Sequence, residues 1–115
     1  MNLVRIAILL LFSTCANAAE DYVIDDKNVV IVNITIKDHK FYPDNITVPK
    51  GHKIKLIVNN TDNTAEEFES YDLKREKIVP SNKSSIIVLA PLKAGKYKFF
   101  GDFHPETAEG VINVE

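Results

Sequence analysis

One imidazole and three carboxylates crowd a short stretch near the C-terminal end of this 115-residue chain. They are Asp102, His104, Glu106 and Glu109, set between Gly101 and Gly110. An imidazole nitrogen with carboxylate oxygens is a donor set for a borderline or hard cation. Cu(II), Fe, Mn and Zn are served; soft Cu(I) is not. Such ligands bind best with the imidazole neutral, so affinity should fall as pH drops through its pKa. Further acids, Glu66, Glu67 and Glu69, and a second imidazole, His39, stand far off in the sequence. Each also has an ordinary explanation. A lone loop histidine is usually solvated, and acids on a strand edge deter aggregation.

The elements that must gather these residues are strands. Val29–Ile36 is dense in β-branched residues, and Phe41-Tyr42-Pro43 ends that segment. Ile46–Val48, Lys53–Val58, Glu66–Tyr71, Ser84–Leu89, Lys96–Phe100 and Val111–Val114 read as further strands, separated by turn formers such as Pro49-Lys50-Gly51 and Pro80-Ser81-Asn82. The charged run Asp72–Lys77 is open between a helical turn and an exposed link. No stretch has sustained helical periodicity with caps. Short strands at a spacing of about ten residues predict an all-β, Greek-key antiparallel sandwich.

In such a sandwich consecutive strands tend to run up and down. If Lys96–Phe100 runs up, as Val29–Ile36 and Lys53–Val58 then do, one end collects His39, Glu66, Glu67, Glu69, Asp102, His104 and Glu106, with His52 left at the other end. Alternation sends Phe68 inward and Glu67 and Glu69 to the opposite face. Glu66 shares the parity of Phe68, and a carboxylate there is costly to bury without a partner.

Residues 1–18 have the form of an export signal: Arg5, an apolar run Ile6–Phe12 too short to span a bilayer, and Ala16-Asn17-Ala18 for cleavage. Lipid modification at Cys15 is the alternative, for which Phe12-Ser13-Thr14 is a poor leader. The expected organisation is a signal over 1–18, a flexible segment over 19–28 and one domain over 29–115. Removing Arg5 from the 14 basic side chains leaves 13 against 16 acidic ones, with Arg75 the one remaining arginine. That balance argues against nucleic acid as a partner. Beyond the signal there is no Cys and no Met, so no disulfide, thiolate or thioether is available. With no Cys nucleophile, no Gly-x-Ser-x-Gly elbow and no phosphate-cradling loop, the chain is not expected to be an enzyme.

The order of Phe41-x-Pro43, Ile46-Thr47-Val48, Gly51, Asn59-Asn60, then Pro91–Phe99 and Gly110–Val114, resembles the cupredoxins over nearly all of residues 29–115. Placed on that resemblance, the thiolate position falls at Gly101, the methionine position at Ala108, and the first histidine at Glu66 or Glu67; His104 stands at the loop histidine. A blue site needs His₂Cys with a weak axial ligand, so a type 1 copper centre is excluded. The wording Ala65-Glu66-Glu67-Phe68-Glu69-Ser70-Tyr71-Asp72-Leu73, Arg75-Glu76-Lys77, Phe99–His104 and Asp38–Pro43 resembles the EfeO-type cupredoxin-like domains. That resemblance implies a periplasmic protein that binds iron or copper and serves a permease-type iron-uptake system. The expected ligands are Glu67, Asp102 and His104, with His39 and Glu69 as helpers. The competing expectation is a metal-free interaction module docking on a transporter or partner subunit. A mononuclear metal oxidase is a weaker third, since a site without thiolate offers no evident electron path.

Overall fold

The computed structural model describes residues 21–115; the expected signal and its cleavage point lie outside them. Ten strands follow in order: β1 (Val23–Ile24), β2 (Val30–Lys37), β3 (Lys40–Tyr42), β4 (Asn45–Val48), β5 (Ile54–Asn60), β6 (Glu66–Ser70), β7 (Arg75–Val79), β8 (Ser84–Leu89), β9 (Gly95–Gly101) and β10 (Glu109–Val114). One sheet has the order β1-β2-β5-β8, with β3 also paired to β2. The other has the order β4-β10-β9-β6-β7. Segment 72–77, left open by the sequence, is a turn leading into β7. The segment before residue 29 contributes β1, which pairs with β2.

Not every pairing is antiparallel. Strand β2 runs parallel to β5 from Val30↔Ile54 to Ile36↔Asn60, and β4 runs parallel to β10. The chain changes sheets twice between β3 and β5, so β5 returns beside β2 in the same direction. Side-chain alternation is the same for both pairings, and strand direction therefore leaves no mark in the hydrophobic pattern.

Alternation builds the core. Val30, Val32, Ile34 and Ile36 of β2, and Ile54, Leu56 and Val58 of β5, all point inward and are buried. They meet Phe68, Phe99, Ile112 and Val114 of the second sheet. Phe41, Phe68 and Phe99 form an aromatic centre, with ring centroids 5.0 to 6.1 Å apart. Gly110 packs directly under the Phe99 ring, which a Cβ there would strike.

Polar residues at the strand ends meet at one end of the sandwich. Buried Asn60 donates to the carbonyls of Thr64 and Val79 and accepts the Asp62 N–H. Asp62 in turn accepts the N–H groups of Asp38 and His39, fixing a turn in which both have positive φ. His52 lies away from this end, hydrogen-bonded to the Asn28 carbonyl.

Because Phe68 is fully buried in the aromatic centre, Phe68→Ala is expected to cost about 3–5 kcal/mol, measured by urea denaturation. A loss below about 1 kcal/mol, ordinary for a surface change, would show that the trio does not anchor the two sheets.

Candidate functional site: a buried carboxylate–imidazole pair and an outer acidic group

Strand β6 carries acids on both faces. Its alternation turns Glu66, Phe68 and Ser70 inward and Glu67 and Glu69 outward. Glu66 is 1% exposed. A carboxylate at that depth survives only if its oxygens are paired, and they are. Oε1 accepts the backbone N–H groups of Phe103 (2.8 Å) and Glu67 (2.9 Å). Oε2 lies 2.7 Å from Nδ1 of His104. A carboxylate in its ionised form only accepts, and Nδ1–H is then the donor of this contact.

The loop between β9 and β10 is shaped to meet this carboxylate. Gly101 N–H donates to the Ala108 carbonyl at the loop's base, and the His104 carbonyl accepts from Thr107 and Ala108. Asp102 N–H donates to the Glu67 carbonyl and ties the loop to β6. A Cβ built on Gly101 would stand 2.6 Å from the Glu66 carboxyl carbon and 2.7 Å from the Ala108 Cβ. Position 101 is glycine because the carboxylate occupies the space.

His39 completes the inner group. Its ring stacks on that of His104, with centroids 3.6 Å apart and planes within 13°. Its Nδ1 lies 3.5 Å from Asp62, and its carbonyl accepts the Thr107 hydroxyl. Partial burial pushes the Asp62 carboxyl up, but the N–H groups of His39 and Asp38, and then the two imidazoles, outweigh this and hold it below its ordinary value.

The outer group is purely acidic. Glu69 stands opposite Glu76 of β7 in the antiparallel register. One carboxylate oxygen each from Glu67, Glu69 and Glu76 lies within 4.8 Å of the others. Shielding from water pushes both the Glu67 and Glu69 carboxyls above their ordinary value. The Glu76 carboxylate adds to this at both; Glu69 acts further on Glu67, and Asp102 on both. Among the described residues, no Lys or Arg forms an ion pair with these acids.

The five residues put forward from the sequence thus fall into two sets. His104 and His39 belong inside, with Glu66 and Asp62. Glu67, Glu69 and Asp102 belong outside, with Glu76. Period-2 alternation already separated Glu66 from Glu67 and Glu69. Asp62 lay hidden in a loop of turn formers. Glu76 lay in the charged segment whose structure was open; reading Tyr71–Lys74 as a hairpin turn would have placed it opposite Glu69.

Nearly the whole chain matches a family model. Residues 3–114 fit the cupredoxin-like domain, and the chain belongs to that family. It is 61% identical, over 87 residues, to the uncharacterized protein RP394 of Rickettsia prowazekii (strain Madrid E), covering 76% of this chain and 70% of that one. The metal-binding domain of the Cu(I)-exporting P-type ATPase CopA of Streptococcus pneumoniae D39 superposes with a TM-score of 0.73. The identity is 12%, with 84% of this chain and 94% of that one covered. Auracyanin A, a "blue" copper protein of Chloroflexus aurantiacus, superposes at 0.66 with 13% identity, covering 76% and 99%. These likenesses establish the cupredoxin β-sandwich. No type 1 copper site exists among the described residues: Gly101 and Ala108 offer no sulfur, and Glu66 rather than Glu67 is the inward residue beside His104.

The raised carboxyls set a pH dependence of unusual sign. Glu67 and Glu69 hold protons more tightly in the folded chain than at their ordinary value of 4.5. Between that value and the raised one the folded state binds more protons, so their contribution to stability falls as pH rises through the window. Glu69→Gln should therefore raise Tm at pH 7 and lose the gain well below pH 4.5, with the gain also shrinking in 1 M salt. Differential scanning calorimetry decides it; a Tm at pH 7 equal to or below the wild type's would refute the repulsion.

Proposed function

We propose that this protein is an exported metal-binding accessory that holds one transition-metal ion on the outer acidic group, with Glu67, Glu69 and Glu76 as ligands and Asp102 beside them. The observation that carries the reading is the close set of three carboxylate oxygens, with which no Lys or Arg among the described residues forms an ion pair. Like charges placed directly opposite on paired strands destabilise a sheet, and a cation between them reverses the sign of that term. Oxygen donors favour hard ions. Iron therefore suits the site better than Cu(I), the ion of the CopA domain.

The EfeO-type resemblance and the export signal support a periplasmic role, holding or handing on the ion for a permease-type uptake system. The protein acts by binding and catalyses no reaction. A second reading is the metal-free docking module. It is favoured by the apolar fringe of the same face: Ile78 stands opposite Glu67, and exposed Tyr71 packs on Phe100, the strand partner of Glu69.

Isothermal titration with Fe(III) citrate, Mn(II) and Cu(II) separates the two. One ion per chain is expected, bound at least about tenfold more weakly, or about 1.4 kcal/mol, by the Glu69→Gln/Glu76→Gln variant. Affinity should fall as pH is lowered toward the raised carboxyl values. No heat with any of the three ions, or equal isotherms for both proteins, sinks the metal site and leaves the docking module.

A further inference from the structure

We infer that the Glu66 carboxylate is this chain's built-in replacement for the metal of its fold: it ties the β9–β10 loop to β6, and the pocket it fills takes no ion. Three observations carry this, and none depends on the outer acidic group.

The first is volume. The thiolate position of the fold is Gly101, and even a Cβ there would sit 2.6 Å from the Glu66 carboxyl carbon. No real Cβ comes so close, so a side chain at 101 and the carboxylate of Glu66 exclude each other. Ala108, at the methionine position, lies against the same point, 2.7 Å from that Cβ. The two small residues are therefore more than missing ligands; together they make the space for a carboxyl group.

The second is saturation. Both Glu66 oxygens are engaged, by Phe103 N–H, Glu67 N–H and His104 Nδ1. These partners come from the loop and from the strand, so the carboxylate crosslinks the segments that a metal would otherwise join. A metal entering between Glu66 and His104 would have to displace the Nδ1 proton and break a charge-assisted hydrogen bond.

The third is the imidazole geometry. A ring nitrogen's lone pair lies in the ring plane. The planes of His39 and His104 are within 13° of parallel and 3.6 Å apart at their centroids. Nearly parallel planes do not converge on a common point near both rings, so the two histidines as placed cannot ligate one ion. His39 instead covers His104 from outside, held by Asp62 and Thr107.

The exclusion at 101 is read by a double-mutant cycle of Gly101→Ala with Glu66→Ala in the full chain, followed by urea denaturation. Gly101→Ala alone should lower the unfolding midpoint, and the shift should shrink in the Glu66→Ala background. Equal shifts in both backgrounds would overturn the idea that the carboxylate fills the space. The crosslink is read by amide hydrogen exchange. In Glu66→Ala the Phe103 and Glu67 amides should exchange about tenfold faster or more than in the wild type, while amides of β2 and β5 keep relatively greater protection. Unchanged protection at Phe103 refutes the crosslink.

The closed pocket is read by titrating the wild type and His104→Gln with Cu(II) and Fe(III) citrate. Matching stoichiometry in the two proteins is the expected result. Loss of a bound ion in His104→Gln would overturn the inference. If neither protein binds metal, the outer-site proposal falls and the closed pocket stands, with the cycle and the exchange data still deciding it.

Discussion

A carboxylate with almost no access to water organises the end of this sandwich. Left without partners, the buried charge of Glu66 would cost several kcal/mol, a large fraction of what holds a domain of this size together. Its three donors are consequently not optional. The loop must bring the Phe103 amide and the His104 ring to it, position 101 must have no side chain, and β6 must turn Glu66 rather than Glu67 inward. Replacing both partners by apolar groups could be tolerated in a generic core, whereas removing one strands the other. The pair is thus a constraint on loop geometry more than a source of net stability.

That constraint spreads outward through hydrogen bonds. His104 is covered by His39, His39 is held by Asp62, and Asp62 is positioned by buried Asn60. Asn60 reaches across to Val79 in the other sheet. The buried groups of the series, the Glu66 carboxylate and the Asn60 amide, have their partners, as a low-dielectric setting requires. Four chain segments distant in sequence, around His39, Asn60–Asp62, Val79 and His104, are joined in this way.

Much of this was legible in the residues. The strands followed from β-branched runs and turn formers. The up-and-down path brings His39 and Glu66 to one end and leaves His52 at the other; His104 joins them once Lys96–Phe100 is taken to run up, and the unread strand β7 supplies the reversal that makes it do so. The cost of burying Glu66 was legible too, because Phe68 two positions on reports its parity. Which strands lie side by side, and so that two of the pairings are parallel, was not legible, since β2–β5 and β4–β10 alternate alike in either kind of pairing. The partner that solves the Glu66 problem was not legible either. His104 looked like one ligand among several, and only its 2.7 Å contact shows it serving a carboxylate. The acids on the far face were read as part of the same site because the end of a strand gathers both of its faces into one neighbourhood of the sequence.

The two faces of β6 illustrate how the same residue type does opposite things one position apart. Inside, Glu66 meets three donors and its charge is balanced on the spot. Outside, Glu67 and Glu69 meet Glu76 and Asp102, and their charge is left unbalanced. At the exposed face water screens each repulsion to a modest cost, so the fold tolerates the arrangement without a cation. Inside there is no such screening, so compensation comes from hydrogen-bond partners fixed by β6 and the loop. On the outer surface of the strand whose inner surface carries Glu66, added positive charge would relieve the repulsion among Glu67, Glu69, Glu76 and Asp102.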